Sequence, residues 1–467
     1  MRGGQGAGFL RLAVPMVVSR AGLAGMGIAD GVMVARYSPA QLAPLGLSDG
    51  TLGRLLDVLV ALLIGGIVLA AQAQAGSTPH EAGAVWRRAV RLALVTGLAA
   101  AAVGLAGPWW LGWLGEAPKL VAATAPVMAV LGAGMPLALV AVATAVFLEA
   151  VGRAPVVAAA VAAANVLNIA LNWLLIGGRF GLPALGALGS ALSTAAVRVA
   201  LAGVLVGYAW RLRDHARLGV RRAPEAAAPV PVASGAEQRR LGYGAAAIAV
   251  VMNLTGMSMT VLAGRLGVLP LAAMTALWNA LSIGALVALG MADAVALRVA
   301  AAQAPGGAVP GGGGAQIGPL AAALLGLRVA MPAVLALMLP LLLAPALVAG
   351  VYAPHGAMRA ALAGLLPLGA LVLLCDATSF VFSAGLRGLR DALWPAVIQA
   401  AVAAVLVPLA WFLAVPCGFG ARGLVSAILV TSVMRAALMA SRFRRRAGAG
   451  TAAGLAAPWP ARRVAGA

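Results

Sequence analysis

Residues 154–176 read APVVAAAVAAANVLNIALNWLLI, twenty-three positions without a charged side chain. A helix that crosses a bilayer needs about 20 consecutive, mostly apolar residues, so this run has the length of one crossing. Its apolar positions are continuous rather than alternating, which speaks against a strand of a membrane barrel. Comparable runs recur along the whole chain. Of 467 residues, 63% are hydrophobic and 10% are charged, against about 25% charged in soluble domains, and mean hydropathy is +1.01. At roughly 33 residues per helix plus loop, the apolar part holds about twelve spans.

The spans fall at about 9–35, 46–74, 89–107, 120–150, 154–176 and 184–210, then 241–264, 272–303, 320–350, 357–386, 393–415 and 420–441. The first is too long for a signal-peptide core and holds Asp30, so it counts as a span. Pro108-Trp109-Trp110 and Trp113 close the third like an interfacial aromatic belt. Residues 211–240, with seven Arg and a Pro/Ala-rich stretch, predict a mobile and largely dispensable linker with little apolar surface to pack. The expected organisation is a first six-helix bundle over 1–210, a cytoplasmic linker over 211–240, a second bundle over 241–441 and a basic cytoplasmic tail over 442–467.

The net charge of +21 is not a nucleic-acid signature, because the Arg residues gather in short loops and the tail. Arg87, Arg88, Arg91, Arg153, the linker, Arg387, Arg390 and Arg444-Arg445-Arg446 all fall on one side if the N-terminus is cytoplasmic. That bias places both termini and the linker in the cytoplasm, and the protein in the cytoplasmic (inner) membrane. Cys375 and Cys417 offer no disulfide framework, and His80, His215 and His355 form no metal cluster. No phosphate-binding GxxxxGK[ST] occurs, and Gly311–Gly314 reads as a flexible loop. No catalytic constellation is visible, so the reading is not an enzyme, and nothing implies an oligomer.

The halves repeat. At a constant offset of 237, Ala184, Gly186, Thr194 and Arg198 meet Ala421, Gly423, Thr431 and Arg435, and Arg153 meets Arg390. Six spans per half insert both halves the same way up, related by a pseudo-two-fold axis along the membrane normal. Transporters built from such repeats bind substrate where the repeats meet.

Ionisable residues inside hydrocarbon are costly and are functional candidates by default. Asp57 has Arg54 three residues earlier and reads as a structural ion pair. Asp49 reads as a solvated cap at the outer end of the second span. Asp30 has Met26, Gly27, Met33 and Val34 on its own helix face. It must therefore be protonated, pair across helices, or hold a cation. Asn165, Asn168 and Asn172 lie on one stripe of the fifth span, either as hydrogen-bonding glue between helices or as a polar pocket with Asp30. Asp376 and Asp293 also lack a basic neighbour on their own helix face.

Four stretches carry a family resemblance: MGIADGVMVARYSPAQLAPLGLS (26–48), AVGRAPVVAAAVAAANVLNIALNWLLIGGRFGLPALGALGSALST (150–194), LAGRLGVLPLAAMTALWNALSIGALVALGMADAVALRVA (262–300) and CDATSFVFSAGLRGLRDALWP (375–395). In order and spacing they resemble the MATE family, the multidrug and toxic compound extrusion transporters. The resemblance implies two six-helix bundles around a central cavity. It also implies export of cationic or amphipathic small molecules in exchange for H⁺ or Na⁺, with no cofactor besides the coupling ion. Asp30 matches the family's coupling acid on the first helix, Asn168 and Asn172 match its polar network, and Asp376 matches an acid implicated in cation binding. The chain departs from the pattern where Asn253 replaces an acid expected on the seventh helix. Asp293 stands where a small residue is usual, and could replace that charge or attract cationic substrate. A flippase for lipid-linked precursors, from the same superfamily, is the alternative. Such a cavity would be lined with several Arg or Lys, whereas the unpaired intramembrane charges here read as mainly acidic.

Overall fold

The computed structural model describes residues 2–76, 78–221, 234–303, 318–352 and 356–454. Among these residues the chain is all-helical. The helices are α1 (Arg2–Tyr37), α2 (Pro39–Ala75), α3 (His80–Leu105), α4 (Gly107–Trp113), α5 (Pro118–Ala133), α6 (Met135–Ala150), α7 (Ala154–Leu175) and α8 (Ala187–Trp210). There follow α9 (Gly235–Arg265), α10 (Val268–Ala302), α11 (Pro319–Leu343), α12 (Pro345–Tyr352), α13 (Ala357–Gly388), α14 (Leu393–Ala414) and α15 (Gly420–Gly454). Twelve spans among the described residues are long and apolar enough to cross a bilayer, with α5 and α6 together forming one of them. His355 and the Gly311–Gly314 run lie outside the described residues.

Proline and glycine set the interruptions. The fourth span is cut at Gly134, next to Pro136, which lacks an N–H and disfavours helix in the residue before it. The expected ninth span, 320–350, is cut at Ala344 before Pro345. Pro155 starts α7 at a position where a missing N–H costs nothing. Small residues let helices approach closely: a Cβ added at Gly97 of α3 would lie 2.4 Å from the Cα of Pro136. In α4, Trp109 and Trp113 are exposed, while Trp110 turns inward and donates to the Val103 carbonyl at 3.1 Å.

Contacts divide the chain into a first unit, Met1–Leu254, and a second that begins at Thr255. The first unit therefore extends past 240 into α9. Gly65 of α2 and Gly242 of α9 meet backbone to backbone, so a Cβ on Gly65 would lie 2.4 Å from the Gly242 nitrogen. Gln238 donates to the Val85 carbonyl at 3.1 Å and accepts from Arg88 at 2.9 Å. In the second unit the core is built on Leu277, Val334, Leu366, Ala410 and Leu424.

Two expectations about the polar segments are corrected. Residues 211–221 are packed rather than loose: Leu212, Leu218 and Val220 are buried. Gly83 donates to the Leu218 carbonyl at 2.8 Å, and Arg87 donates to the carbonyls of Gly219 and Val220. Gly219 sits at φ 63° with its Cα against the His80 carbonyl, a place where a Cβ would lie 2.3 Å from that oxygen. Of the rest of the expected linker, 222–233 lies outside the described residues, while 234–240 is not loose either: α9 starts at Gly235 and Gln238 is buried. Nor does the tail begin at 442. Helix α15 runs through that point, with Phe443 fully buried against Phe382 and with Arg442 and Arg446 both bound to the buried Asp391.

Candidate functional site

In the first unit, α1, α7 and α8 bring one buried acid and its donors together. Asp30 is 8% exposed, and Asn168 and Asn172 are fully buried. Both amides reach the same carboxylate oxygen: Asn168 Nδ2 donates to Oδ1 at 3.1 Å and Asn172 Nδ2 at 2.6 Å. The hydroxyl of Thr194 donates to Oδ2 at 2.7 Å. Asparagines four apart on α7 share a face, so one helix presents both amides to Asp30. Asn172 Nδ2 also approaches Asn168 Oδ1 at 3.3 Å, and Ser193 donates to the Asn168 carbonyl at 3.4 Å. Hydrogen bonds to a charged group contribute about 1.5–3 kcal/mol each, so these donors stabilise a carboxylate that burial would otherwise penalise.

Two further features of this cluster matter. No Arg or Lys among the described residues forms a salt bridge with Asp30, whose hydrogen-bond partners among them are all neutral. Arg198, one turn beyond Thr194, acts on Asp30 and Asp49 electrostatically but donates to the Leu131 carbonyl at 3.1 Å, beside the break at Gly134. In addition, Asn172 Oδ1 is buried and accepts no hydrogen bond. The third asparagine, Asn165, stands apart: its amide donates to Val161 of its own helix, and it packs against Gly22 and Gly25. Asp49 lies within α2 rather than at its end, because the helix starts at Pro39. Asp57 and Arg54 interact along α2 without reaching salt-bridge contact, so the expected ion pair is not formed.

The second unit holds a different cluster. Asp376 on α13 is bound by Arg435 of α15, which also donates to Gln399 of α14 at 3.3 Å and to Ser432 at 3.4 Å. Asp293 of α10 faces Arg387 at 3.5 Å. The reading of both acids as unpaired is therefore corrected: each finds an arginine on another helix, which spacing along its own helix cannot reveal. Asn253 of α9 is half-buried and falls in the first unit, apart from the unit that contains Asp293 and Asp376.

Sequence reasoning missed three participants. Thr194 was visible only through its repeat partner Thr431, and Arg435 only through Arg198. Glu149, near the end of α6, is a buried acid that accepts from Ser19 at 3.1 Å, and nothing in its local sequence marks it.

Residues 15–174 match the model of the MatE family. The chain is 35% identical over 445 residues to a probable multidrug resistance protein NorM of Caulobacter vibrioides, covering 93% of this chain and 90% of the relative. It is 29% identical over 449 residues to the multidrug resistance protein NorM of Burkholderia vietnamiensis, covering 93% and 92%. A crystal structure of MATE in the bent conformation superposes with a TM-score of 0.84 at 20% identity, covering 97% of this chain and 98% of that one; this likeness concerns the fold.

Proposed function

The chain belongs to the MATE family, and from that premise we propose that it is a secondary active antiporter in which Asp30 carries the exchanged cation. It is an integral membrane protein of a family whose named relatives are multidrug resistance proteins. The cargo is a cationic or amphipathic organic compound, and the counter-ion is H⁺ or Na⁺. Both termini face the cytoplasm of the inner membrane, in line with the arginine bias of the loops.

The observation that carries this reading is a buried carboxylate held only by neutral partners, beside an acceptor that has no donor. An acid locked to an arginine keeps a fixed charge balance, whereas one held by amides and a hydroxyl can gain and lose a cation. The Thr194 hydroxyl can donate to Asp30 when the acid is charged and accept from it when protonated. Asn172 Oδ1 can accept from the protonated acid or ligate Na⁺, which takes oxygen ligands. An orphaned buried acceptor costs about 1–3 kcal/mol, so satisfying it favours the loaded state. Cargo binding and cation binding then compete for one charge, which couples export to the ion gradient. Substrate-loaded proteoliposomes with separately imposed pH and Na⁺ gradients test this. Export driven by one gradient and lost in Asp30→Asn supports it; export indifferent to both gradients refutes it.

A further inference from the structure

The first unit carries a second feature that ion coupling does not use. A groove of about 590 Å³ lies between α3 and α8 over α6. Its walls are apolar along Val90, Leu94, Val140 and Val199. At one end they meet Arg87, Arg91 and Trp210. The floor is rigid: Trp86 is buried, stacks on Phe147 with centroids 5.5 Å apart, and donates to Thr144 at 3.2 Å. The wall is open at Gly203, where an added Cβ would meet nothing within 4 Å.

The charge at the mouth is unbalanced. Arg87 and Arg91 are four residues apart on α3, so they share a face, and their charges act on each other. Like charges at that spacing repel. Arg87 is anchored to the carbonyls of Gly219 and Val220, which are neutral. Arg91 is exposed and has no hydrogen bond or salt bridge among the described residues. No carboxylate among the described residues is in contact with either guanidinium. Trp210 ends α8, its exposed ring at the level where an apolar wall gives way to charge, the position tryptophan takes at a membrane interface.

We propose that this groove binds an anionic glycerophospholipid of the surrounding bilayer, its phosphate at Arg91 and Arg87 and an acyl chain along Val90, Leu94 and Val199. Basic pockets between membrane helices recognise such headgroups by charge, and the apolar wall selects a chain-bearing molecule over a free anion. The lipid neutralises the arginine pair and ties α3, α6 and α8 together at one end of the unit.

The test titrates the full-length protein in mild detergent with dioleoyl phosphatidylglycerol or dioleoyl phosphatidylcholine, counting the first bound lipid by native mass spectrometry. Phosphatidylglycerol is expected to bind about fivefold or more tighter, the factor expected for one arginine at a membrane surface. Arg91→Gln removes most of that preference, and Gly203→Leu, which fills the groove, weakens both lipids. Neither variant loses a contact, Arg91→Gln relieves the repulsion with Arg87 and Gly203→Leu favours helix, so neither melts below the parent in lipid-free detergent. Equal binding of the two lipids, an unchanged preference in Arg91→Gln, or unchanged occupancy in Gly203→Leu overturns the proposal. So does chain-free glycerophosphoglycerol binding as tightly as the intact lipid.

Discussion

The two units hold an aspartate of a membrane-spanning helix in opposite ways. In the first, Asp30 is held by two amides and a hydroxyl; in the second, Asp376 is held by the guanidinium of Arg435. The contrast is sharpened by the repeat, because Thr194 and Arg198 occupy the positions of Thr431 and Arg435. In α8 the threonine serves the acid, while the arginine is spent on the Leu131 carbonyl beside the helix break. In α15 the arginine serves the acid, while Thr431 turns back to the Ala427 and Ile428 carbonyls of its own helix. The acids sit on different helices, α1 and α13, so the same two side chains meet a carboxylate from different distances. Equivalent sequence positions thus take different chemistry once the acid moves. Only the second arrangement pairs its carboxylate with a guanidinium.

The largest expected effect is on Asp30. Asp30→Asn keeps size and hydrogen bonding but removes the charge, and is expected to reduce gradient-driven export in proteoliposomes to background at normal membrane levels. Transport at the parent rate would dissolve the distinction between the units. Next is Thr194: Thr194→Val removes a donor to a charged group, a loss of about 1.5–3 kcal/mol, and should weaken ion-coupled export about tenfold or more. Thr194→Ser should restore it, and a Ser variant as poor as Val would mean that shape, not the hydroxyl, matters.

Asp376→Asn is expected to cost less export than Asp30→Asn and more stability, since it strands Arg435 in a site where the arginine is 9% exposed. Removing one partner of a buried pair costs up to about 3–5 kcal/mol, and partial exposure reduces that here. The melting temperature should fall in Asp376→Asn and recover in the Asp376→Asn/Arg435→Gln double variant. If Asp376→Asn alone abolishes export at unchanged stability, the coupling acid belongs to the second unit.

The smallest effects compare the basic ends of the two units. Arg153 and Asp214 pair at 3.4 Å with both side chains more than 40% exposed, so Arg153→Ala should change stability by no more than about 1 kcal/mol. One residue past Arg390, the repeat partner of Arg153, the second unit places a buried acid: Asp391, 4% exposed, holds Arg442 and Arg446. Asp391→Asn should lower the melting temperature more than Arg153→Ala does, and equal shifts would show that burial is not what separates them.

Most of the helices were legible because a span's signature is local. The run 154–176 and α7 (Ala154–Leu175) differ by one residue, since a lipid-crossing helix must be apolar along its length whatever it packs against. The misreadings share a cause. Residues 211–221 look polar in composition, yet their three large apolar side chains, Leu212, Leu218 and Val220, are buried within the first unit. The basic run at 442–446 looks like a tail, but Phe443 and the buried Asp391 draw α15 onward. In each case a few residues outweigh the average of their neighbourhood.

The amino-acid order by itself determined the twelve spans, the repeat and the candidacy of Asp30 with Asn168 and Asn172, because hydrophobic length, offset and helical periodicity are properties of a single stretch of chain. Only tertiary structure decided which acids are neutralised. Arg435 lies 59 residues from Asp376, Arg387 lies 94 from Asp293, and Thr194 lies 164 from Asp30. A carboxylate's charge state depends on groups within a few ångströms in space, and helix packing, not sequence distance, brings those groups into reach.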